Sequence, residues 1–359
     1  MPVSDHGTSP WPHLDIDSRN QPQYSISPLV QLVVATKGGI RFGVRRQSLD
    51  IFAGLAACSN LRELYIDRIS LIGSRHACTL PRFPCHHVLP SISRVSFTSS
   101  FSITGTLAAT HVFFVLAHMP RLEDLRINCT NFSPNLQPDT FVPVSLKRYS
   151  FHHWGWGDGR EGSMSSGWSL PLQSSRISIR ELELTIKGAE DLVELLSAEQ
   201  YRSANITGAS FFPKLRIVKL SIAWLQNFSI LAPLLAQCPR VQTLHLIADV
   251  AYLPQLPPFA ALVNILPTAG CLKHLAIGLR MWNEYYHIIE PTLNQSTRMD
   301  KELRLQLLQL SGIHGLKSFT VLVDPENYRA FRLPRIQDEC RQRRIPFCIS
   351  PTIQMGGSG

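Results

Sequence analysis

Apolar residues recur along this chain in a fixed frame, one position followed by others at +3 and +5. VQTLHL places Val241, Leu244 and Leu246 on it, and LEDLRI places Leu122, Leu125 and Ile127. Ten copies begin at Leu29, Leu61, Ile92, Leu122, Leu146, Ile179, Leu215, Val241, Leu272 and Leu316. Their spacing runs from 24 residues (Leu122 to Leu146) to 44 (Leu272 to Leu316), with a mean of about 32. Positions +3 and +5 lie two apart, so in a strand they face one way and the polar residues between them face the other. The frame therefore predicts that Leu125 is buried and its neighbour Arg126 exposed. A lone strand with one apolar face cannot bury it, so the copies must stack.

Segments between the copies carry apolar residues at helical spacing. They are LAATHVFFVLAHMP (107–120), AEDLVELLSAEQ (189–200), FSILAPLLAQCP (228–239), FAALVNILP (259–267) and KELRLQLLQLSG (301–312). Several end at proline or glycine just before the next frame, a helix stop. Strand, turn, helix and turn in repetition predict an α/β solenoid: a parallel sheet on the inside and helices on the outside. Residues 1–28 read as a flexible arm, 29–350 as one repeat domain, and 351–359 as a flexible tail. The repeat domain carries two expected insertions, a Cys/His/Pro loop at 76–90 and a Gly/Ser/Trp segment at 152–175, of which 155–175 is expected to be mobile and dispensable for folding. A helix and strand near 334–350 are expected to cap the open end.

The phrases CSNLRELYI and CPRVQTLHL, with a cysteine three residues before the frame, resemble leucine-rich repeats of the kind found in F-box proteins. MPRLEDLRI, FPKLRIVKL and the ending CRQRRIPFCI resemble the irregular repeat domains of fungal F-box-like proteins. The resemblance covers about residues 29–350 and implies an irregular horseshoe with a concave parallel sheet. The F-box itself is not evident in residues 1–28. The resemblance further implies a non-catalytic protein-recognition module, the substrate receptor of a cullin-type ubiquitin ligase or a relative lacking the F-box, with a ligase adaptor as a further partner.

Of the 359 residues, 44% are hydrophobic, which excludes a disordered chain. The net charge is +9 with only 17% of residues charged, and lysines and arginines are scattered over the length. Scattered charge suits a mildly anionic partner, whereas a dedicated nucleic-acid binder shows a concentrated stripe. Nucleic acid is accordingly not the expected partner. The polar opening MPVSDHGTSPWPHLD is unlike a signal peptide, so the eight cysteines are expected to stay reduced in the cytoplasm or nucleus. The longest apolar run, LAATHVFFVLAHM, is too short to span a membrane.

The expected partner surface is the outward row of the sheet: Tyr65, Arg94, Arg126, Arg148 and His152. Arginines on successive strands form either a basic patch or cross-strand pairs with Glu63, Asp124, Glu181 and Glu183. A basic patch would support a second reading, an anion-binding module for RNA or a phosphorylated ligand. Four other features bear on possible chemistry. His76, Cys78, Cys85, His86 and His87 lie close together but lack zinc-knuckle spacing, so no metal is expected. Trp154, Trp156 and Trp168 mark either a binding loop or a hydrophobic cluster. RQRR at 341–344 is either an import patch or the solvated end of a helix. Cys58, Cys238 and Cys271 are expected to pack between layers at helix ends. No catalytic motif is present, and neither enzyme activity nor a cofactor is expected.

Overall fold

A computed structural model describes residues 40–43, 61–67, 89–98, 106–108, 112–113, 116–129, 131–133, 144–153, 166–186, 210–223, 231–251, 271–282, 297, 300–301, 304, 315–323 and 332–351. Nine of the ten frames coincide with strands, and each strand starts at the +2 position. They are β2 (Glu63–Asp67), β3 (Arg94–Thr98), β5 (Asp124–Cys129), β7 (Arg148–His153), β8 (Glu181–Ile186), β9 (Ile217–Ala223), β10 (Thr243–Ala251), β11 (His274–Trp282) and β12 (Ser318–Val323). The tenth frame, at Leu29, lies outside the described residues. The first strand among the described residues is β1 (Ile40–Gly43), whose Ile40 pairs with Leu64.

Together with β13 (Phe347–Pro351), these strands form one eleven-stranded sheet in chain order, every pair parallel. The architecture is α/β in a solenoid-like arrangement. A separate two-stranded sheet pairs β4 (Thr106–Ala108) with β6 (Asn131–Ser133). Leu107 and Ala108, expected at the start of a helix, are therefore in a strand. Helix appears further on, at Val112, Phe113 and Leu116.

Frame geometry sets the register. At each step from β2 to β12 the +1 residue's carbonyl accepts two backbone N–H groups from the start of the following strand. Arg180 O, for example, accepts from Arg216 N (2.9 Å) and Ile217 N (3.1 Å); Gln242 O accepts from Lys273 N (2.8 Å) and His274 N (2.9 Å). The +3 residues then stack as one buried row. Leu64, Val95, Leu125, Leu182, Leu244 and Phe319 are all at most 2% exposed. Arg126, beside Leu125, keeps 51% of its side chain exposed, as the alternation predicts.

Helices cover the apolar face. Described ones are α1 (Leu170–Ser175), α2 (Leu231–Ala236) and α3 (Pro334–Gln342). Leu172, Leu234, Leu235, Ile336 and Cys340 join the strand residues in one core. Helix α3 and β13 close the chain's end as expected, with Phe347 stacked 6.1 Å from Phe319.

Part of the segment expected to be mobile is folded. β7 ends ahead of it at His153, but within it Ser166–Ser169 form a 3-10 turn leading into α1. Trp168 is fully buried, its ring 5.6 Å from Phe151, and the Tyr149 hydroxyl donates to its carbonyl (2.7 Å). Trp168 is thus core and not part of an exposed binding loop, because a large aromatic with a free apolar wall beside it gains most by burial. Trp154 and Trp156 lie outside the described residues, as do the segments 189–200 and 259–267 expected to be helical, Cys58, and the His/Cys group at 76–87.

Candidate recognition surface

The residues between buried positions line up in rows across the polar face of the sheet. One row runs Glu63, Arg94, Asp124, Arg148, Glu181; the next runs Tyr65, Ser96, Arg126, Ser150, Glu183, Lys219, His245. A third passes Asn128, His152, Thr185 and Ser221. Because strands in a parallel sheet lie about 4.8 Å apart, side chains in one row touch.

They touch as ion pairs. Arg94 bonds Glu63 on one side and, through Nε, Asp124 Oδ2 on the other (3.0 Å). Arg126 Nε lies 3.5 Å from Asp124 Oδ1, and Arg148 Nε 3.3 Å from Glu181 Oε2. Lys219 Nζ bridges Glu181 (3.6 Å) and Glu183 (3.5 Å). Four cations meet four carboxylates. A free basic patch, one of the two readings weighed for these arginines, is therefore not what the fold builds. Like-charge neighbours would be destabilising, whereas opposite charges in register each contribute about 0.2–1 kcal/mol.

His152 departs most from expectation. It is 8% exposed instead of outward and open. Its Nδ1 shares a hydrogen bond with Thr185 Oγ1 (2.9 Å), and Nε2 lies 3.8 Å from Glu183 Oε1. Burial pushes its pKa below the ordinary histidine value; Glu183 pulls the other way, and Arg126 and Lys219 add to the lowering. His245 is likewise lowered, by burial first, then by Lys219, with Glu183 opposing and His274 adding a further push down. Tyr65 belongs to β2 and its backbone pairs with Ser96, but its side chain lies outside the described residues.

Two arginines remain available. Arg126 and Arg148 keep 51% and 53% of their side chains exposed and are anchored through Nε alone. Among the described residues their terminal nitrogens have no hydrogen-bond partner. The polar residues that shape this face but escaped the sequence reading are Ser150, which donates to Glu183 Oε2 (3.4 Å), and Thr185. Their positions at +4 and +6 of the frame were the signal.

Chemistry elsewhere is muted. Burial pushes the Cys129 thiol up to about 12 and Cys340 to about 11, and raises Cys238, whose Sγ donates to Leu234 O (3.1 Å). Such thiols stay protonated and are poor nucleophiles. Cys238 packs at a helix end as expected, whereas Cys271 is exposed. In the RQRR segment Arg343 Nε pairs with Glu339 (2.8 Å) and Arg341 with Asp338 (2.8 Å), so both serve helix α3. Among the described residues no group of three or more His, Cys, Asp or Glu is arranged to hold a metal ion. No helix there is long and apolar enough to cross a membrane.

A parallel α/β sheet in solenoid-like sequence order, carrying a charge-balanced polar face, is the class that fold and surface define. Compared with protein-family models and with curated proteins, the chain matches none.

Proposed function

We propose that the chain is a leucine-rich-repeat protein and a non-catalytic recognition module for another protein, of the kind that F-box-like receptors use to hold substrates. Its working surface is the polar face around Arg126 and Arg148. The observation that carries this reading is the state of those two side chains. Each is held by a carboxylate through Nε and keeps its outer nitrogens unbonded among the described residues. A guanidinium fixed in this way loses little entropy on meeting a partner carboxylate, which it can grip with two parallel donors. The balanced charge around it disfavours loose attraction to any polyanion and favours a partner whose charges complement the pattern. Arg94, bonded on both sides, serves the sheet and not the partner.

Membership of a cullin-type ligase, in the cytoplasm or nucleus, is part of the proposal through the resemblance of the repeats. Affinity purification of the full chain tests both parts. The expected result is recovery of ligase adaptor and cullin subunits, together with a substrate protein that is lost from the Arg126→Gln, Arg148→Gln variant while the melting temperature holds. Retention of the same proteins by the variant would refute the surface. A partner set without adaptor or cullin would refute the ligase assignment.

A further inference from the structure

The positive charge that looks scattered along the sequence is gathered in space. The polar face is neutral, so the excess must lie elsewhere, and much of it lies on one margin of the sheet. Arg180 precedes β8, Lys214 and Arg216 precede β9, Arg240 precedes β10, Lys273 precedes β11 and Lys317 precedes β12. All six occupy frame positions −1 or +1, and no acidic residue occupies those positions on these five strands. Lys273 is half-exposed and the other five are exposed. None makes a side-chain hydrogen bond or ion pair among the described residues. The backbone fixes the row. Arg216 O accepts Gln242 N (2.8 Å) and Thr243 N (3.0 Å), and Lys273 O accepts Lys317 N (2.6 Å) and Ser318 N (3.1 Å), so Arg180, Arg216, Lys273 and Lys317 are carried at one height with the neutral Gln242 among them, and Lys214 and Arg240 lie two residues before that level. Five strands at about 4.8 Å per step give a line of charge on the order of 19 Å long.

We propose that this margin binds the phosphodiester backbone of a nucleic acid. The surface is distinct from the polar face, so the inference does not rest on the function proposed above. Three properties select the ligand. The charges form a narrow band, two residues deep and without interleaved acids, which fits a linear polyanion. Half are arginines, whose forked donors match phosphate oxygens. The one large hydrophobic among the described residues that stands exposed is Ile177, too little apolar surface to anchor a membrane beside a basic patch. No exposed aromatic accompanies the row among the described residues, so contacts go to phosphates and binding is indifferent to sequence.

Fluorescence anisotropy with a labelled mixed-sequence RNA of roughly 20 nucleotides, and with DNA of equal length, tests this. Vesicles containing phosphatidylserine and a polyglutamate peptide serve as competing anions. Binding is expected to weaken steeply with salt, with a log–log slope of about −4 for six single-strand phosphate contacts. The variant Arg180→Glu, Arg216→Glu, Lys273→Glu is expected to bind at least about tenfold more weakly. A control that reverses two exposed cations off these strands, Lys301→Glu, Arg335→Glu, should bind like the parent. The milder set Arg180→Gln, Arg216→Gln, Lys273→Gln replaces the reversal if circular dichroism shows that the first does not fold, and should lie between. Failure to bind either nucleic acid, equal loss in the two charge-reversed variants, or tighter binding to vesicles or polyglutamate would overturn the proposal.

Discussion

The hydroxyl of Ser175, at the end of helix α1, accepts the backbone N–H of Leu146 at 2.9 Å, one repeat earlier in the chain. The same hydroxyl donates to Val144 O at 3.2 Å, and Ser175 itself is fully buried. One side chain thus ties a helix end to the turn that leads into β7. Replacing Ser175 by Ala leaves a buried donor and a buried acceptor without partners. A loss of about 1–3 kcal/mol is expected, read as a lower urea midpoint with an unchanged slope. A Ser175→Ala protein as stable as the parent would show that water replaces the hydroxyl.

Trp168 fills the core between β7 and α1, so Trp168→Ala should cost about 3–5 kcal/mol. Deleting 166–175 should abolish cooperative unfolding. Both outcomes are measurable by thermal melting followed by circular dichroism. Retention of a sharp transition after the deletion would place this turn and helix outside the folding unit.

Gly278 sits where β11 passes β12. A methyl group at this position would meet Leu322 Cβ at 2.9 Å and Leu322 O at 3.2 Å, both too fixed to swing aside. Gly278→Ala is therefore expected to destabilise by about 1–3 kcal/mol through overpacking. The double variant Gly278→Ala, Leu322→Ala keeps the crowded backbone atoms and should recover no more than part of the loss, measured by denaturant titration.

Two histidines predict the acid response. His152 and His245 both titrate below the ordinary value of 6.5 in the folded chain. The unfolded chain therefore takes up protons first as pH drops, and stability must fall with it. Tm is expected to be level above pH 7 and to decline through about pH 6.5 and below. In His152→Gln, His245→Gln that decline should flatten. An unchanged decline would assign the acid response to other groups.

The sheet was legible because its signal is repeated. Leu61, Ile92, Leu122 and the later frame positions announce buried rows by spacing alone, and nine strands begin two residues after them. β1 was missed: its four residues, Ile40–Gly43, sit outside the ten frames. Mobility was expected around Trp168 because glycine and serine dominate the local composition, while its burial is set by the wall that Phe151 and Tyr149 provide earlier in the same repeat. His152 was misread for a related reason. Alternation correctly gives the side of the sheet on which a residue lies, but not its exposure, which depends on Thr185 and Glu183 on the next strand. Pairing of Arg94, Arg126 and Arg148 with carboxylates was one of two readings open from sequence. Only registered strands could decide it, by bringing Glu63, Asp124 and Glu181 within reach.

The doubled acceptor at each +1 carbonyl has a consequence for how such a chain can change. From β2 to β12 it fastens the start of each strand to the start of its predecessor in the sheet, whatever lies between them. Repeats of 24 and of 44 residues are met by the same pair of bonds. A lengthened or shortened connection is therefore absorbed where it occurs, and no strand downstream is displaced. Indels between strands stay local, so the outer segments are open to diversification one repeat at a time while the inner lattice keeps its registration.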